Sequence, residues 1–307
     1  MNDFLVLALG VVCAGVGGEL FLAGLVRLAR WARISAGIAA TTVAAFATSS
    51  PELAVAITSA LAGAPEISLG DALGSNVVNV ALILGLAALI APIPASREST
   101  GRDLLAAALA PVLVGALAFD GLLSRLDGFA LLAAFAAWLT AALVEARRQR
   151  RTSDASAAAP HAWRFALLGL AGLALLAVAG RLVVSGARGL AEDSGIHVFV
   201  LGATLVALGT SVPELAIAVA SQLRRRHEVG LGTVLGSNVF NGCFIVGVAA
   251  TICPIRVLWS EVSWPLLFGA VTVAVARTGR RTSIGRQHGL LLVALYALYV
   301  ALVLGSD

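Results

Sequence analysis

The chain has 307 residues, of which 59% are hydrophobic and only 12% are charged, and its mean hydropathy is +0.96. Soluble domains are roughly half apolar and a quarter charged, so this composition excludes an ordinary soluble domain and indicates a multi-pass helical membrane protein. The formal net charge of +4 could suggest nucleic-acid binding, but all 21 basic residues are arginine, and most form short clusters between apolar runs. That pattern is typical of membrane topology, so we expect contact with the lipid bilayer and not with nucleic acid.

Apolar runs long enough to cross a bilayer, at roughly 20 residues per helix, occur at about ten places. The predicted spans are 4–26, 36–61, 68–91, 103–119, 128–145, 163–185, 196–222, 229–252, 263–277 and 287–305. With the N-terminus outside, 17 of the 21 arginines fall in cytoplasmic connections. Because cytoplasmic loops are enriched in Lys and Arg, we predict ten spans in the cell membrane with both termini outside.

The two halves of the chain resemble each other at a constant offset of 162 residues. Residues 41–59 align with 203–221 at 10 of 19 identical positions, and residues 69–79 align with 231–241 at 8 of 11. We therefore divide the chain into a first repeat (1–146), a short cytoplasmic linker (147–161) and a second repeat (162–307). Since five spans is an odd number, the second repeat enters the membrane from the opposite side. The prediction is an all-α membrane protein of about ten helices in two inverted five-helix repeats, with a site at the bilayer midplane.

Each repeat carries two polar motifs inside its apolar runs. The first reads Ala-Thr-Ser-Ser-Pro-Glu-Leu at 47–53 and Gly-Thr-Ser-Val-Pro-Glu-Leu at 209–215. The second reads Gly-Ser-Asn-Val-Val-Asn at 74–79 and Gly-Ser-Asn-Val-Phe-Asn at 236–241. A proline inside a span removes a backbone donor, which frees carbonyls in the preceding turn. Freed carbonyls, hydroxyls and a carboxylate together form an oxygen cage that suits hard cations such as Ca²⁺ and Na⁺.

The two glutamates, Glu52 and Glu214, carry most of the argument for a cation site. A charged residue at the centre of a membrane helix costs roughly 3 kcal/mol on insertion scales, so intramembrane acids are usually functional. One such glutamate could be a protonated packing residue, and one proline could be only a kink. Two copies in the same frame instead favour a site in which two carboxylates balance one Ca²⁺.

These paired motifs resemble the α-repeats of the sodium/calcium exchanger branch of the calcium/cation antiporter superfamily. The resemblance implies that Glu52, Glu214 and the backbone carbonyls of Thr48 and Thr210 bind Ca²⁺ and competing Na⁺. It further implies flanking Na⁺ sites lined by the hydroxyls of Ser49, Ser75, Ser211 and Ser237 and the carbonyls of Ala45 and Ala207. The amides of Asn79 and Asn241 would complete the centre. The first motif departs from the family pattern at Ala47 and Ser50, where Gly and Leu are usual.

The resemblance implies a secondary antiporter that exchanges Ca²⁺ for Na⁺ by alternating access. An alternative is Ca²⁺/H⁺ or other divalent-cation/proton exchange, although the Gly-Asn-Ala-x-Glu motif of that branch is absent from the sequence. We expect no enzymatic activity, since no catalytic Ser/Lys or Asp/Asp spacing occurs within the spans. We also expect no cofactor, because the three cysteines lack metal-ligand spacing. The sequence indicates no oligomeric state.

Two further acids are weaker candidates. Glu19, whose repeat counterpart is Arg181, is considered as a residue that lines an ion pathway. Asp71 is interpreted either as part of an outward vestibule that attracts cations or as an ordinary acid at the start of a helix.

Overall fold

The computed structural model describes residues 2–31, 46, 48–94, 97–148, 162–223, 227–277 and 283–305, and these are overwhelmingly helical. The helices of the first half are α1 (Asp3–Trp31), α2 (Ser50–Leu61), α3 (Pro65–Val77), α4 (Gly85–Ile90), α5 (Arg97–Leu117) and α6 (Arg125–Arg148). Those of the second half are α7 (Ala162–Ser194), α8 (Val198–Leu201), α9 (Ala207–Thr210), α10 (Val212–Leu223), α11 (His227–Val239), α12 (Val246–Ile252), α13 (Trp259–Ala276) and α14 (Arg286–Leu304).

Three of the helical rods contain a π-helical segment with wider turns. The π segments are Val78–Leu84 between α3 and α4, Gly202–Val206 between α8 and α9, and Phe240–Ile245 between α11 and α12. Such segments are uncommon and frequently lie at functional sites. Two of them begin within the second polar motif of each half, so the backbone departs from a regular α-helix beside Asn79 and Asn241.

Seven helical segments in the described part of the chain are long and apolar enough to cross a membrane, which confirms a multi-pass membrane protein. They are Asp3–Gly24, Pro65–Ile90, Arg125–Val144, Trp163–Ser194, Leu231–Ile252, Trp259–Ala276 and Arg286–Leu304. Helix α5 occupies the predicted span 103–119. The predicted span 196–222 is divided at Ser211, a turn residue between α9 and α10. Residues 36–45 and 47 of the span 36–61, and residues 149–161 of the predicted linker, lie outside the described residues.

The element boundaries recur between the two halves at the same 162-residue offset as the sequence. Helices α2 and α10 begin at 50 and 212, and helices α3 and α11 occupy 65–77 and 227–239. The short strands β1 (Ile93–Pro94) and β3 (Ile255–Arg256) follow at the same separation. The repeated motifs are therefore embedded in repeated local structure, because the same prolines and polar residues interrupt the same helices.

Two antiparallel ribbons join the halves to each other. Strand β1 pairs with β4 (Ser283–Ile284), and β2 (Leu122–Leu123) pairs with β3. Each ribbon therefore connects a loop of the first half with a loop of the second. Both loops of the first ribbon are cytoplasmic in the predicted topology and both loops of the second are external, so the pairing is consistent with the predicted alternation.

Helices α1 and α7 pack along much of their length through close backbone contacts. A Cβ atom added to Gly172 would lie 2.4 Å from the backbone nitrogen of Phe21, and one added to Gly24 would lie 2.5 Å from the backbone nitrogen of Gly169. Small residues of this kind let membrane helices approach closely enough for van der Waals contact to stabilise the pair. In contrast, the rods α3–α4 and α11–α12 are mostly buried, which places the second polar motif of each half in the centre of the protein.

A candidate cation site formed by both halves

The first motif of each half forms a turn between two helical segments. Ser49 has φ −86° and ψ 15°, and Ser211 has φ −80° and ψ 7°, directly before the proline-containing helices α2 and α10. Helical hydrogen bonds resume at once, since the N–H groups of Leu53 and Leu215 donate to the carbonyls of Ser49 and Ser211, each at 3.1 Å. The interruption is therefore local, and the side chains of Thr48, Ser49, Thr210 and Ser211 at the two turns are buried.

The carbonyl of Ala207 is less free than the proline argument predicts. It accepts a hydrogen bond from the Ser211 N–H at 3.2 Å, so one of its two lone pairs keeps a helical partner. The Thr210 hydroxyl also lies within hydrogen-bond distance of this carbonyl oxygen, at 3.4 Å. The corresponding carbonyl in the first half, that of Ala45, belongs to a residue outside the described residues.

Glu214 lies at a contact between the halves. Its Oε1 accepts from the hydroxyl of Ser49 at 3.5 Å and from that of Ser237 at 3.4 Å, and these two hydroxyl oxygens are 3.2 Å apart. The Thr48 side chain also lies beside it. Its second oxygen, Oε2, is buried without a hydrogen-bond partner. The structure thus joins four residues that the sequence had placed in the site, two from each half.

Glu52 is fully buried, and neither of its carboxylate oxygens has a hydrogen-bond partner. The Thr210 side chain lies next to it, and Glu214 and Asp71 are close enough to interact with it electrostatically. Burying an ionised carboxylate without a compensating partner is strongly unfavourable. A bound cation would supply the missing partner for both oxygens and reduce the repulsion from the neighbouring acids.

The second motifs contribute a chain of amides across the interface between the halves. The Asn79 amide nitrogen donates to Oδ1 of Asn238 at 3.1 Å, and the Asn238 amide nitrogen donates to the backbone carbonyl of Asn76 at 3.0 Å. This leaves Oδ1 of Asn79 without a partner, and both side-chain polar atoms of Asn241 are likewise unpartnered. The positioning contact of Asn238 was missed from the sequence, although the repeated Ser-Asn pair in both motifs was a signal for it.

Asp71 is buried within the same region, and its interpretation as an ordinary acid at the start of a helix was wrong. Its exposure is 0%, and helix α3 begins six residues earlier, at Pro65. Its Oδ1 accepts hydrogen bonds from Thr210 at 2.9 Å and from Ser75 at 3.5 Å. Glu19, in contrast, lies on the exposed side of α1, outside the buried polar region.

The unpartnered polar atoms show what this region is suited to bind. Apart from Ser68, every buried side-chain polar atom without a partner in the described part of the chain belongs to Asp71 or to one of the motifs. The oxygens among them are both of Glu52, Oε2 of Glu214, Oδ2 of Asp71, Oγ of Ser211, and Oδ1 of Asn76, Asn79 and Asn241. Native proteins leave few buried polar groups unsatisfied, so this concentration requires an explanation. Hard cations bind such mixed sets of carboxylate, hydroxyl and amide oxygens.

The site does not resemble a resident metal centre of the His/Cys type. Among the residues that the structure describes, no three His, Cys, Asp or Glu side chains are grouped closely enough to hold one metal ion. The arrangement combines separated carboxylates with neutral oxygens from two related halves of a multi-pass membrane protein. Fold and site together define a membrane transporter for cations.

Comparison with known proteins identifies the family. The sequence profile of the family described as "Sodium/calcium exchanger protein" matches residues 2–144 and 164–305. Inner membrane protein YrbG of Escherichia coli is 33% identical over 275 residues, which are 85% of this chain and 84% of YrbG. The sodium/calcium exchanger MaX1 of Methanosarcina acetivorans is 25% identical over 343 aligned positions that cover 98% of each chain. A solved structure of the sodium-calcium exchanger NCX_Mj, soaked with Na⁺ and Sr²⁺, superposes with a TM-score of 0.69 at 28% identity and 98% coverage of both chains.

The chain belongs to the sodium/calcium exchanger family. This confirms the family predicted from the paired motifs, and it assigns the chain to a family of membrane cation antiporters rather than of enzymes. The assignment of individual residues as Ca²⁺ or Na⁺ ligands stays a prediction.

Proposed function

We propose that the protein exchanges Ca²⁺ for Na⁺ by alternating access, and that the two ions compete for a midplane site around Glu52 and Glu214. The observation that carries the proposal is the set of buried, unpartnered oxygens that both halves contribute around these carboxylates. The sodium/calcium exchangers among the similar proteins support the choice of ions.

The chemistry of the site suits both ions. Ca²⁺ takes six to eight oxygen ligands, and its double charge neutralises the two glutamates. Glu52, Glu214 and the carbonyls of Thr48 and Thr210 would bind it. Na⁺ would occupy flanking sites lined by four serines and two carbonyls, those of Ser49, Ser75, Ser211 and Ser237 and of Ala45 and Ala207. Asn79 and Asn241 would complete the centre. Because both ions need the same carboxylates, they exclude each other from the centre.

The proposed architecture is two inverted five-helix repeats with ten spans, in a cell membrane, with both termini outside. The 162-residue recurrence of helices, strands and motifs supports it. Inverted repeats provide a physical reason for alternating access, because exchanging the conformations of the two halves converts a site open to one side into a site open to the other.

A proton-coupled exchanger is the alternative. One observation favours it, namely that the unpartnered oxygens of Glu52 could bind protons in place of a metal ion. The two functions differ in which ion gradient drives Ca²⁺ uptake, so a transport measurement separates them.

The test is uptake of ⁴⁵Ca²⁺ into vesicles that contain the purified protein, with outward gradients of Na⁺, K⁺ or H⁺ imposed one at a time. We expect Na⁺ to drive uptake, and we expect Glu52→Gln and Glu214→Gln each to abolish it. Glu66→Gln, which removes a half-buried acid from the first turn of α3, is the matched control and should transport normally. Uptake driven by H⁺ alone would favour the alternative, and full uptake in either glutamine variant would exclude the proposed site.

A further inference from the structure

Asp71 is a position at which the two sequence repeats differ in charge. At the 162-residue offset its counterpart is Thr233, so only the first half has an acid at this position. The site therefore contains three buried carboxylates, those of Asp71, Glu52 and Glu214. The ion pairs Arg102–Asp103 and His197–Glu261 do not include Asp71, and its recorded side-chain partners are the hydroxyls of Thr210 and Ser75.

The contacts of Asp71 place it at one end of the site. Its Oδ1 accepts from the hydroxyls of Thr210 and Ser75. The Thr210 hydroxyl oxygen also lies 3.4 Å from the carbonyl oxygen of Ala207 and 3.1 Å from that of Val206. Since a hydroxyl has one proton and two lone pairs, Thr210 can donate to Asp71 and still offer its oxygen to a cation.

The second carboxylate oxygen of Asp71, Oδ2, is buried and has no partner. A neutral structural acid would satisfy its hydroxyl by donating to a nearby acceptor, whereas a cation ligand leaves an oxygen free to bind an ion. Charge balance points the same way. Once Ca²⁺ has left, the three carboxylates carry three negative charges, which three Na⁺ would balance, one of them beside Asp71.

We propose that Asp71 is a direct ligand of a monovalent cation, Na⁺, in a subsite that it forms with the hydroxyls of Ser75 and Thr210. This inference rests on the proposed function and adds a charged ligand to it. The Na⁺ sites of the two halves are then unequal, because the second half has Thr233 in the corresponding position.

The experiment counts the Na⁺ ions that displace ⁴⁵Ca²⁺ from the purified protein, with an organic cation holding ionic strength constant. Asp71→Asn keeps an acceptor for Thr210 and Ser75 but removes the charge. We expect it to lower the Hill slope of Na⁺ displacement by about one, since one binding step is lost. We also expect the half-displacing Na⁺ concentration to rise by about tenfold, as for the loss of one charge-assisted contact. Glu66→Gln should leave both quantities unchanged.

An unchanged slope and midpoint in Asp71→Asn would overturn the inference. If that variant does not fold, Asp71→Thr decides in the same assay, because α11 accommodates Thr233 at the corresponding position. Failure of the proposed function would look different, since the wild type would then bind no Ca²⁺, or Glu52→Gln would bind it normally. If the proposed function fails in this way, the Na⁺ ions can still be counted without Ca²⁺, from the slope of Tm against Na⁺ concentration. If Asp71→Asn leaves that slope unchanged, the subsite is rejected.

Discussion

Replacing Glu52 by glutamine should have opposite effects on the cation-free and the Ca²⁺-bound protein. Both carboxylate oxygens of Glu52 are buried without partners, so the cation-free protein bears the cost of an unsatisfied group. Leaving a buried polar group unpaired costs about 1–3 kcal/mol, and more for a charge. Glu52→Gln removes the charge and should therefore stabilise the cation-free protein by about that amount. Glu214→Gln should stabilise it less, because Ser49 and Ser237 already donate to Oε1.

The Ca²⁺-bound protein should respond in the other direction. A ligand at 100 times its Kd stabilises the folded state by about 2.7 kcal/mol, which corresponds to a Tm increase of about 5 °C. The wild type should show this increase, and Glu52→Gln should lose it. The assay is thermal unfolding in detergent with and without Ca²⁺, and Glu66→Gln should behave as the wild type does. A full Ca²⁺-dependent increase in Glu52→Gln would show that Glu52 is not a ligand. A lower Tm without cation would show that the unpaired carboxylate is not a source of instability.

Two other predictions follow from the packing and from the charge of the site. Gly172→Ala should lower the Tm, because its Cβ would lie 2.4 Å from the Phe21 backbone nitrogen and overpacking costs about 1–3 kcal/mol. Gly169→Ala should raise the Tm, because its Cβ would have nothing within 4 Å and alanine has the higher helix propensity. Equal changes in Tm would contradict the close packing of α1 and α7. If more than two Na⁺ exchange for one Ca²⁺, uptake driven by internal Na⁺ should accelerate in vesicles made positive inside with K⁺ and valinomycin, at about 2.3 kcal/mol per charge per 100 mV. An uptake rate that does not change with voltage would reject electrogenic exchange. The control is that a K⁺ gradient alone drives no Ca²⁺ uptake.

The membrane class and the burial of the two glutamates could be predicted because their signals are local and repeated. Long apolar runs indicate helices that lie in lipid, and the same Thr-Ser-x-Pro-Glu pattern occurs in both halves. Proline removes one helical hydrogen bond, so the turns at Ser49 and Ser211 could be anticipated from the backbone chemistry. Proline alone does not decide the outcome, because Pro111 and Pro265 lie inside the continuous helices α5 and α13.

Asp71 shows why the rest could not be predicted. Its burial and its hydrogen bond from Thr210 depend on a residue 139 positions away in the other half. Its repeat counterpart is a threonine, so the internal repeat provided no signal for it. The amide contact between Asn79 and Asn238 is also long-range, with a separation of 159 residues. The π segments were not predicted, because no residue pattern in the chain indicates them.

The ribbons that join the halves have a consequence for biosynthesis. Strand β1 pairs with Ser283–Ile284, in the loop that precedes α14. The first half therefore leaves the ribosome with its two strands unpaired and with Glu52 separated from the second-half residues that surround it. Its spans can insert one by one, but the polar centre can close only after Asn241 has been made, and the ribbon of β1 with β4 can form only after Ile284. A ribosome that stalls before residue 283 would release a membrane-inserted chain with exposed strand edges and buried charge, a natural substrate for membrane quality control.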